Sequence, residues 1–354
     1  MKRAFRAIGI LLLIVSVSGA LLIASAPSAT SAPAVEKKSW RLFSTPEGGF
    51  AYSVAMGLIK VANQYNPSVE LIVTTGKGTP ASHQLYQDNE VDTSYSSTQT
   101  MYEVWHNEGV FSKNPVKYRT YQGVYLYTGD HFFIIRAGRT DIKSLSDLAG
   151  KKVFPWYRGS GSYDTFKLVL TKLGVWDKIV DRQMGAEELA DALKTGAVDA
   201  IGAFTISGKT IPSTVKDIEM RVGIQIVMPS AKEKEIILKI PAITVLPPFE
   251  PTMFSKPVGV DKIWAFGNAY GWNFGPNEDT NRVYGIVKAW YEHAGELAAF
   301  NPGFEMFAKI GLEMNTTAID SISDVPVHPG VAKYLKERGV WKSKWKVGDL
   351  YPRP

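Results

Sequence analysis

The sequence reads KVFPWYRGSGSYDTFKLVLTKLGV over residues 152–175. Its first part, Lys152 to Trp156, predicts a short strand. The Gly/Ser loop RGSGS follows at 158–162, where glycines allow a tight turn into the next element. A helix is indicated after the loop by an apolar stripe at helical spacing, made of Phe166, Val169, Leu170 and Leu173. The stretch therefore predicts a strand, loop and helix unit of an α/β protein.

The same order of elements occurs about 110 residues earlier in the chain. A strand is predicted at Trp40 to Ser44, the loop TPEGG follows at 45–49, and a helix carries Ala51, Val54, Ala55, Leu58 and Ala62 on one face. In both copies a later Val-Asp pair precedes another strand, at residues 91–92 and 198–199. This repetition predicts an α/β fold of two similar lobes, each with its loops at the carboxyl ends of its strands.

Two segments are predicted to connect the lobes. Tyr121 to Arg136 is rich in β-branched and aromatic residues, as expected of a crossing strand, and residues 241–254 followed by 258–274 return the chain. Two crossings predict a hinge. The predicted domains are a signal peptide at 1–34, lobe I at 35–128 plus 250–354, and lobe II at 129–249.

Composition excludes several classes of function. The 354 residues are 45% hydrophobic and 21% charged, which is typical of a folded protein, and they include no cysteine. Disulfides, thiolate nucleophiles, cysteine-bound zinc and iron–sulfur clusters are therefore excluded. The net charge of +6 falls to +3 when Lys2, Arg3 and Arg6 are set aside. So small an excess, spread along the chain, predicts no nucleic-acid partner.

Those three cations begin an N-terminal segment with the plan of a secretory signal. An apolar run from Ile8 to Ala24 follows them, and a stretch rich in Ser, Ala and Pro continues to Ala34. The best cleavage site is after Ala32-Pro33-Ala34. The alternative is an uncleaved anchor, although the run is at the short edge of a spanning helix. Both interpretations place the rest of the chain outside the cytoplasm, in the periplasm or another extracytoplasmic space.

The loop RGSGSYD resembles a dinucleotide-binding fingerprint, but Asp164 stands where the third glycine belongs. The general property that remains is anion binding at the start of a helix, with hydroxyls from Ser160 and Ser162 around Gly161 and the guanidinium of Arg158 beside them. The alternative is purely structural, with Ser162 capping the helix and Arg158 paired to Asp164. Trp156 stands at the strand end beside this loop, where its ring is expected to cover a ligand.

Two further loops supply candidates. GAFTISGKT at 202–210 has five residues between its glycines and not the four of a phosphate-binding loop, so Phe204, Thr205 and Ser207 are expected to line a cleft instead. In the first copy, Gly48 and Gly49 let the backbone pass close to a ligand, Phe50 and Tyr52 are expected to wall it, and Glu47 is expected to accept from an amine. The alternatives are a solvent-facing Glu47 and a helix staple at Phe50.

No catalytic or metal-binding pattern appears in the sequence. The five histidines have no metal-ligand spacing, none can be paired with a serine from sequence, and G-x-S-x-G is absent. The chain is therefore predicted to be no enzyme, with no catalytic residue, no metal and no cofactor.

Four stretches together resemble the TAXI family, the substrate-binding subunits of one branch of TRAP transporters. They are EGGFAYSVAMGLIK at 47–60, IKSLSDLAGKKVFPWYRGSGSYDTFKLVLTKLGV at 142–175, LKTGAVDAIGAFTISG at 193–208 and VPVHPGVAKYLKERG at 325–339. The resemblance implies a two-lobed periplasmic-binding-protein fold of type II, the hinged Venus-flytrap arrangement. It also implies ligand contacts from Glu47 to Tyr52, from Ser97 and Thr98, and from Ser160 to Ser162, and we add the turn at Thr75 and Gly76.

The function that the resemblance implies is capture of a small polar solute, carboxylate-bearing or amino-acid-like, and its delivery to a TRAP membrane permease by a monomer. Glu47 and Asp164 depart from the family pattern, and a carboxylate added to the cleft favours a ligand with an amine or several hydroxyls. The alternatives are a binding protein of an ABC transporter, a ligand-sensing module of a sensor kinase, and an exported hydrolase or lyase.

Overall fold

The computed structural model describes residues 37–47 and 50–353, which lie in one compact unit. The predicted signal peptide at 1–34 lies outside the described residues. Two hydrophobic cores organise the unit. The first combines side chains from 40–127 and 269–345 with Ala242, and the second combines side chains from 132–266. We call the parts built around these cores the first and second lobes.

The elements alternate between strands and helices along most of the chain. The strands are β1 (Lys38–Ser44), β2 (Val69–Thr75), β3 (Thr93–Ser97), β4 (Tyr121–Arg136), β5 (Lys152–Phe154), β6 (Val180–Asp181), β7 (Ala200–Ile206), β8 (Ile224–Val227) and β9 (Phe266–Phe274). The helices are α1 (Phe50–Tyr65), α2 (Gly78–Gln87), α3 (Thr98–His106), α4 (Gly161–Lys172), α5 (Leu189–Thr195), α6 (Ser213–Arg221), α7 (Ala231–Ile237), α8 (Thr280–Glu292), α9 (Ala294–Phe300), α10 (Glu305–Ser321) and α11 (Pro329–Glu337).

One long strand connects the two lobes. β4 has the bounds predicted for the first crossing, and its side chains enter the first core up to Tyr127 and the second core from Phe132. It pairs antiparallel with β9 and β7, and the sheet runs in the order β3, β9, β4, β7, β5, β6, with β8 also on β4. β1 and β2 form a separate parallel pair in the first lobe.

The second crossing is shorter than predicted. Within 241–274, only β9 is a strand that joins the sheet. Val258 and Ile263 to Phe266 pack in the second core, whereas Ala269 packs in the first. The chain therefore returns to the first core between Phe266 and Ala269. From the sequence, this return to the first lobe was predicted at residue 250.

Other boundaries differ by local capping. β3 ends within the polar run at 96–100, at Ser97, whose hydroxyl accepts from Thr100 N at 3.0 Å and so begins α3. Residues 280–300 form two helices, since α8 ends before His293 and α9 begins after it. The predicted α/β fold of two lobes with two crossing segments is confirmed. Among the described residues, we find no helix with both the length and the apolar character that a bilayer crossing requires.

Candidate functional site

Two adjoining cavities lie where the lobes meet. The first, of about 610 Å³, we call the polar cavity, and the second, of about 460 Å³, the apolar cavity. The polar cavity is lined chiefly by Lys77, Thr79, Ser97, Gln99, Thr100, Glu103, Trp156, Ser160, Gly161 and Asp164. The apolar cavity is lined chiefly by Phe50, Ala51, Tyr127, Gly129, His131, Ile206 and Pro212. Both cavities share Thr45, Tyr95, Ser162, Phe204 and Tyr270. They therefore form one cleft with two compartments.

The N-terminus of α4 enters the cleft from the second lobe. Ser160 is its cap: the Ser160 hydroxyl accepts from Tyr163 N at 3.2 Å and donates to Tyr157 O at 2.7 Å. Ser162 does not cap the helix. Its Oγ lies 3.0 Å from Nε2 of His131, a residue of the crossing strand β4. The helix therefore has a serine cap, as the structural alternative predicted, but the capping residue is Ser160 and not Ser162.

The cap gives a first testable prediction. Replacing Ser160 by Ala should lower the free energy of unfolding by about 1 kcal/mol, because an N-cap hydroxyl satisfies a helix N–H that Ala leaves unpaired. Ser160→Asp should retain most of the stability, since Asp caps equally well. Chemical denaturation of the three proteins measures the difference, and equal stability of the Ala variant would contradict the assignment of the cap.

Arg158 and Asp164 are not paired with each other. The Arg158 guanidinium donates to Asp181 Oδ2 at 2.8 Å, is largely exposed and lines neither cavity, so the predicted anion fork lies outside the cleft. Asp164 lines the polar cavity. Its side chain stays accessible to solvent, but desolvation inside the cleft raises the pKa of Asp164, and the charge of Lys167 on the next turn lowers it by a smaller amount.

The first lobe contributes α3 to the polar cavity. Ser97 lines it, as expected, but Thr98 is fully buried and donates to Ala242 O at 2.7 Å, so it lines neither cavity. Glu103, one helical turn further on, accepts from Gln99 at 2.9 Å. Burial raises the pKa of Glu103, the hydrogen bond from Gln99 lowers it, and the charge of Asp164 across the cavity raises it further.

The first glycine loop enters the cleft only in part. Gly48 and Gly49 lie outside the described residues. Glu47 is exposed and lines neither cavity, and Tyr52 is half-buried and also lines neither. Phe50 lines the apolar cavity, with its ring edge-on to Tyr127 at 5.0 Å.

The turn after β2 contacts the cleft later than predicted. Thr75 and Gly76 line neither cavity, and a Cβ on Gly76 would lie 2.6 Å from the Phe43 ring, so this backbone faces the core. The residues that follow, Lys77 to Ala81, line the polar cavity instead.

Aromatic side chains from the second lobe close the cleft. Trp156 lines the polar cavity with a positive φ of 87°, and its ring is 5.1 Å from that of Phe204. Thr205 and Ser207 were expected beside Phe204 in the cleft, but they line neither cavity. Thr205 donates to Asp130 at 2.9 Å, and Ser207 is buried against Thr128. Along the strand, alternate side chains point to opposite faces, which separates Phe204 from Thr205.

Several residues of the cleft that were not predicted from the sequence lie on the crossing strands β4 and β9. Tyr127 and Tyr270 are paired in register on β4 and β9, and their rings stack at 5.3 Å. His131 is buried beside them, and burial lowers its pKa to about 4, so its ring is uncharged at neutral pH. The run of aromatic and polar residues in YLYTGDHF at 125–132 was the available signal. Among the described residues, no group of three or more His, Asp or Glu side chains is arranged to hold a metal ion.

The chain matches a family model, and its structure is similar to several solved structures. The model of the NMT1-like family matches residues 43–339, which include every residue that lines either cavity. The structure is similar to a putative sulfonate ABC transporter, periplasmic sulfonate-binding protein SsuA from Methylobacillus flagellatus KT, at 13% identity and a TM-score of 0.49, over 90% of this chain and 99% of that chain. It is similar to a TctC solute-binding protein from Polaromonas at 13% identity and a TM-score of 0.46, over 82% and 99%. It is also similar to the probable amino-acid ABC transporter extracellular-binding protein ytmK from Bacillus subtilis at 16% identity and a TM-score of 0.44, over 77% and 98%.

Proposed function

The chain belongs to the NMT1-like family, and on this premise we propose that it is an extracytoplasmic solute-binding protein. One observation carries the proposal: a cleft of two cavities, of about 610 and 460 Å³, is lined from both lobes beside the crossing strands β4 and β9. Cavities of this size suit a small organic ligand. Closure of two lobes about such strands would bury the ligand and create a new surface for a partner.

The finer assignment is to the TAXI type of TRAP transporter. The stretches that resemble that family supply α1, α4 and β7, and these elements line the cleft. In this role the protein is exported, acts as a monomer in the periplasm and delivers its solute to a membrane permease. The alternatives are an ABC transporter or a sensor kinase. A gene for a large fused TRAP membrane protein beside this one supports the first assignment, and a gene for a transport ATPase supports the ABC alternative.

An exported hydrolase is the competing class, and the contact between His131 and Ser162 bears on it. A base at 3.0 Å from a hydroxyl is an arrangement that activates a nucleophile. In serine hydrolases a carboxylate orients the histidine through its other nitrogen. Here Nδ1 of His131 is buried without a hydrogen-bond partner among the described residues, and the Asp130 carboxylate accepts from Thr205 and Gly208 instead. We therefore assign no catalysis, and turnover of any bound compound would contradict this assignment.

A thermal-shift screen against amino acids, mono- and dicarboxylates and sugars tests solute binding. A ligand at one hundred times its Kd should add about 2.7 kcal/mol to the free energy of unfolding. Gly161→Leu should abolish the shift, because its side chain would enter the polar cavity and its Cβ would meet only Tyr270 OH, at 3.4 Å.

Gly295→Leu is the matched control for this screen. It lies in α9, a Cβ there meets nothing within 4 Å, and the position is outside both cavities. This variant should keep the full ligand shift. A screen in which no solute raises the midpoint of the parent protein, or in which Gly161→Leu keeps the shift, would contradict binding in this cleft.

A further inference from the structure

Two carboxylates face the polar cavity from opposite lobes. Glu103 extends from α3 of the first lobe, and Asp164 from the first turn of α4 in the second. Among the described residues that line this cavity, Lys77 is the cation and none is an arginine. The lining therefore carries two negative charges against one positive charge. Asp164 also occupies the helix start that was expected to hold an anion, where its charge opposes that of a bound carboxylate.

Neither carboxylate forms an ion pair with a described residue. The Glu103 carboxylate accepts a hydrogen bond only from the amide of Gln99. Lys167 acts on Asp164 by its charge alone, and its ammonium lies over the Trp176 ring, 5.7 Å from the ring centroid. Asp181, in contrast, is paired with Arg158 at 2.8 Å. Desolvation inside the cleft raises the pKa of the half-buried Glu103 and of Asp164, which stays accessible to solvent. Their charged forms therefore lack the compensation that a paired cation would give.

The remaining walls of the cleft suit a cation joined to an apolar group. The rings of Tyr95, Trp156, Phe204 and Tyr270 line the polar cavity, and the faces of aromatic rings attract cations. The adjoining apolar cavity offers Phe50 and Ile206 with the uncharged ring of His131. The two compartments thus differ in character: one is acidic and aromatic, and the other is neutral and apolar.

We propose that the cleft takes a ligand with a protonated amine beside an apolar or aromatic body, with the amine between Glu103 and Asp164 and the body in the apolar cavity. The inference rests on the proposed solute-binding function and narrows it to a class of ligand. From the sequence we expected Glu47 to add a negative charge to the cleft. Glu47 is exposed and lines neither cavity, whereas Glu103 lines the polar cavity. A carboxylate on the same ligand would have Lys77 as its countercharge, so an amino acid fits the class.

Three probes of one size test this ligand class: 2-phenylethylamine, phenylacetate and 2-phenylethanol, titrated calorimetrically at pH 7.5 and low salt. The amine should bind at least about tenfold more tightly than the carboxylate, because it can form charge-assisted hydrogen bonds with Glu103 and Asp164, which repel a carboxylate. The double variant Glu103→Gln with Asp164→Asn should lose this preference while keeping its affinity for the neutral alcohol within about twofold, which shows an intact cleft. Phenylacetate binding as tightly as the amine, or a double variant that keeps the preference, would overturn the inference.

A control variant removes two carboxylates that lie outside the cleft. Glu108→Gln with Asp177→Asn removes one exposed carboxylate from each lobe outside both cavities, and this variant should bind the amine as the parent does. The thermal-shift screen separates the two levels of proposal. If only carboxylates or sugars raise the unfolding midpoint, the amine inference fails and solute binding stands. If no solute raises it, both fail.

Discussion

Lowering the pH from about 6.5 to about 4.5 is expected to remove about 2 kcal/mol of folding free energy for each of three buried histidines. Burial lowers the pKa of His83 to about 3 and that of His131 and His328 to about 4. An unfolded histidine titrates near pH 6.5, so below that pH the unfolded chain binds protons that the folded protein refuses. Stability is therefore lost as the pH falls below about 6.5, and the three sites have no such effect above it.

The three environments explain why each ring is uncharged. His83 is fully buried in α2, and neither of its ring nitrogens has a hydrogen-bond partner among the described residues. His328 begins α11: its Nδ1 accepts from Gly330 N at 3.1 Å, and its Nε2 lies 3.2 Å from Glu278 O. These two contacts require a proton on Nε2 and none on Nδ1, which defines the neutral tautomer.

His83→Leu isolates one of the three protons. Its free energy of unfolding should fall less steeply with decreasing pH than that of the parent, by about 1.4 kcal/mol for each pH unit between about 6 and 4.5. The difference between the two proteins is the quantity to measure, since carboxyls with raised pKa values, such as Glu103 and Asp164, take up protons in the folded state and act in the opposite direction.

Val116→Ala is the control for this measurement. Val116 is fully buried in the small cluster around Phe111, whose ring also contacts His83. The truncation should reduce stability equally at each pH, because it removes apolar contacts and no titrating group. Denaturant unfolding at four pH values compares the slopes, and a His83→Leu slope equal to that of the parent would show that this site does not cause the acid sensitivity.

The fold was predicted well from the sequence wherever a single residue pattern identifies an element. The crossing strand at 121–136 has the predicted bounds, because aromatic and β-branched residues recur along it from the first core to the second. The second crossing was harder to predict, since 241–265 is largely apolar yet irregular. Most of its apolar side chains pack in the second core, without strand or helix periodicity, whereas Ala242 packs in the first. Apolar composition predicted burial there, but only tertiary packing decides which core receives the segment.

The part of the cleft that is formed by loops could be predicted from the sequence. Residues adjacent in sequence nevertheless separate in space: Ser97 lines the polar cavity while Thr98 bonds to Ala242 O, and Ser160 lines it while Arg158 bonds to Asp181. Side chains such as Tyr127 and Tyr270 meet because β4 and β9 are in register, and no local pattern encodes a pairing of residues so far apart in the chain. Loop chemistry thus indicated where the cleft lies, and strand pairing determined much of its lining.

Replacing Gly267 by Ala is expected to cost at least about 3 kcal/mol of folding free energy, because it places a methyl group between the two crossing strands. A Cβ on Gly267 would lie 1.8 Å from Gly129 O and 3.1 Å from Nδ1 of His131. The backbone cannot yield easily, since Gly267 also exchanges hydrogen bonds with Thr244 at 2.8 and 3.0 Å. Close approach of two backbones is a role that glycine alone fills in a strand.

The consequences for the cleft follow from the same contact. Gly129 and His131 line the apolar cavity, so strands forced apart at Gly267 should also weaken ligand binding in whatever fraction of the variant folds. Gly295→Ala is the control: a Cβ there meets nothing within 4 Å, and Ala in α9 should raise stability by about 0.5 to 1 kcal/mol. Denaturant unfolding should therefore separate the two glycine variants by at least about 3 kcal/mol. A Gly267→Ala protein as stable as the parent would mean that β4 and β9 do not approach as closely as this register requires.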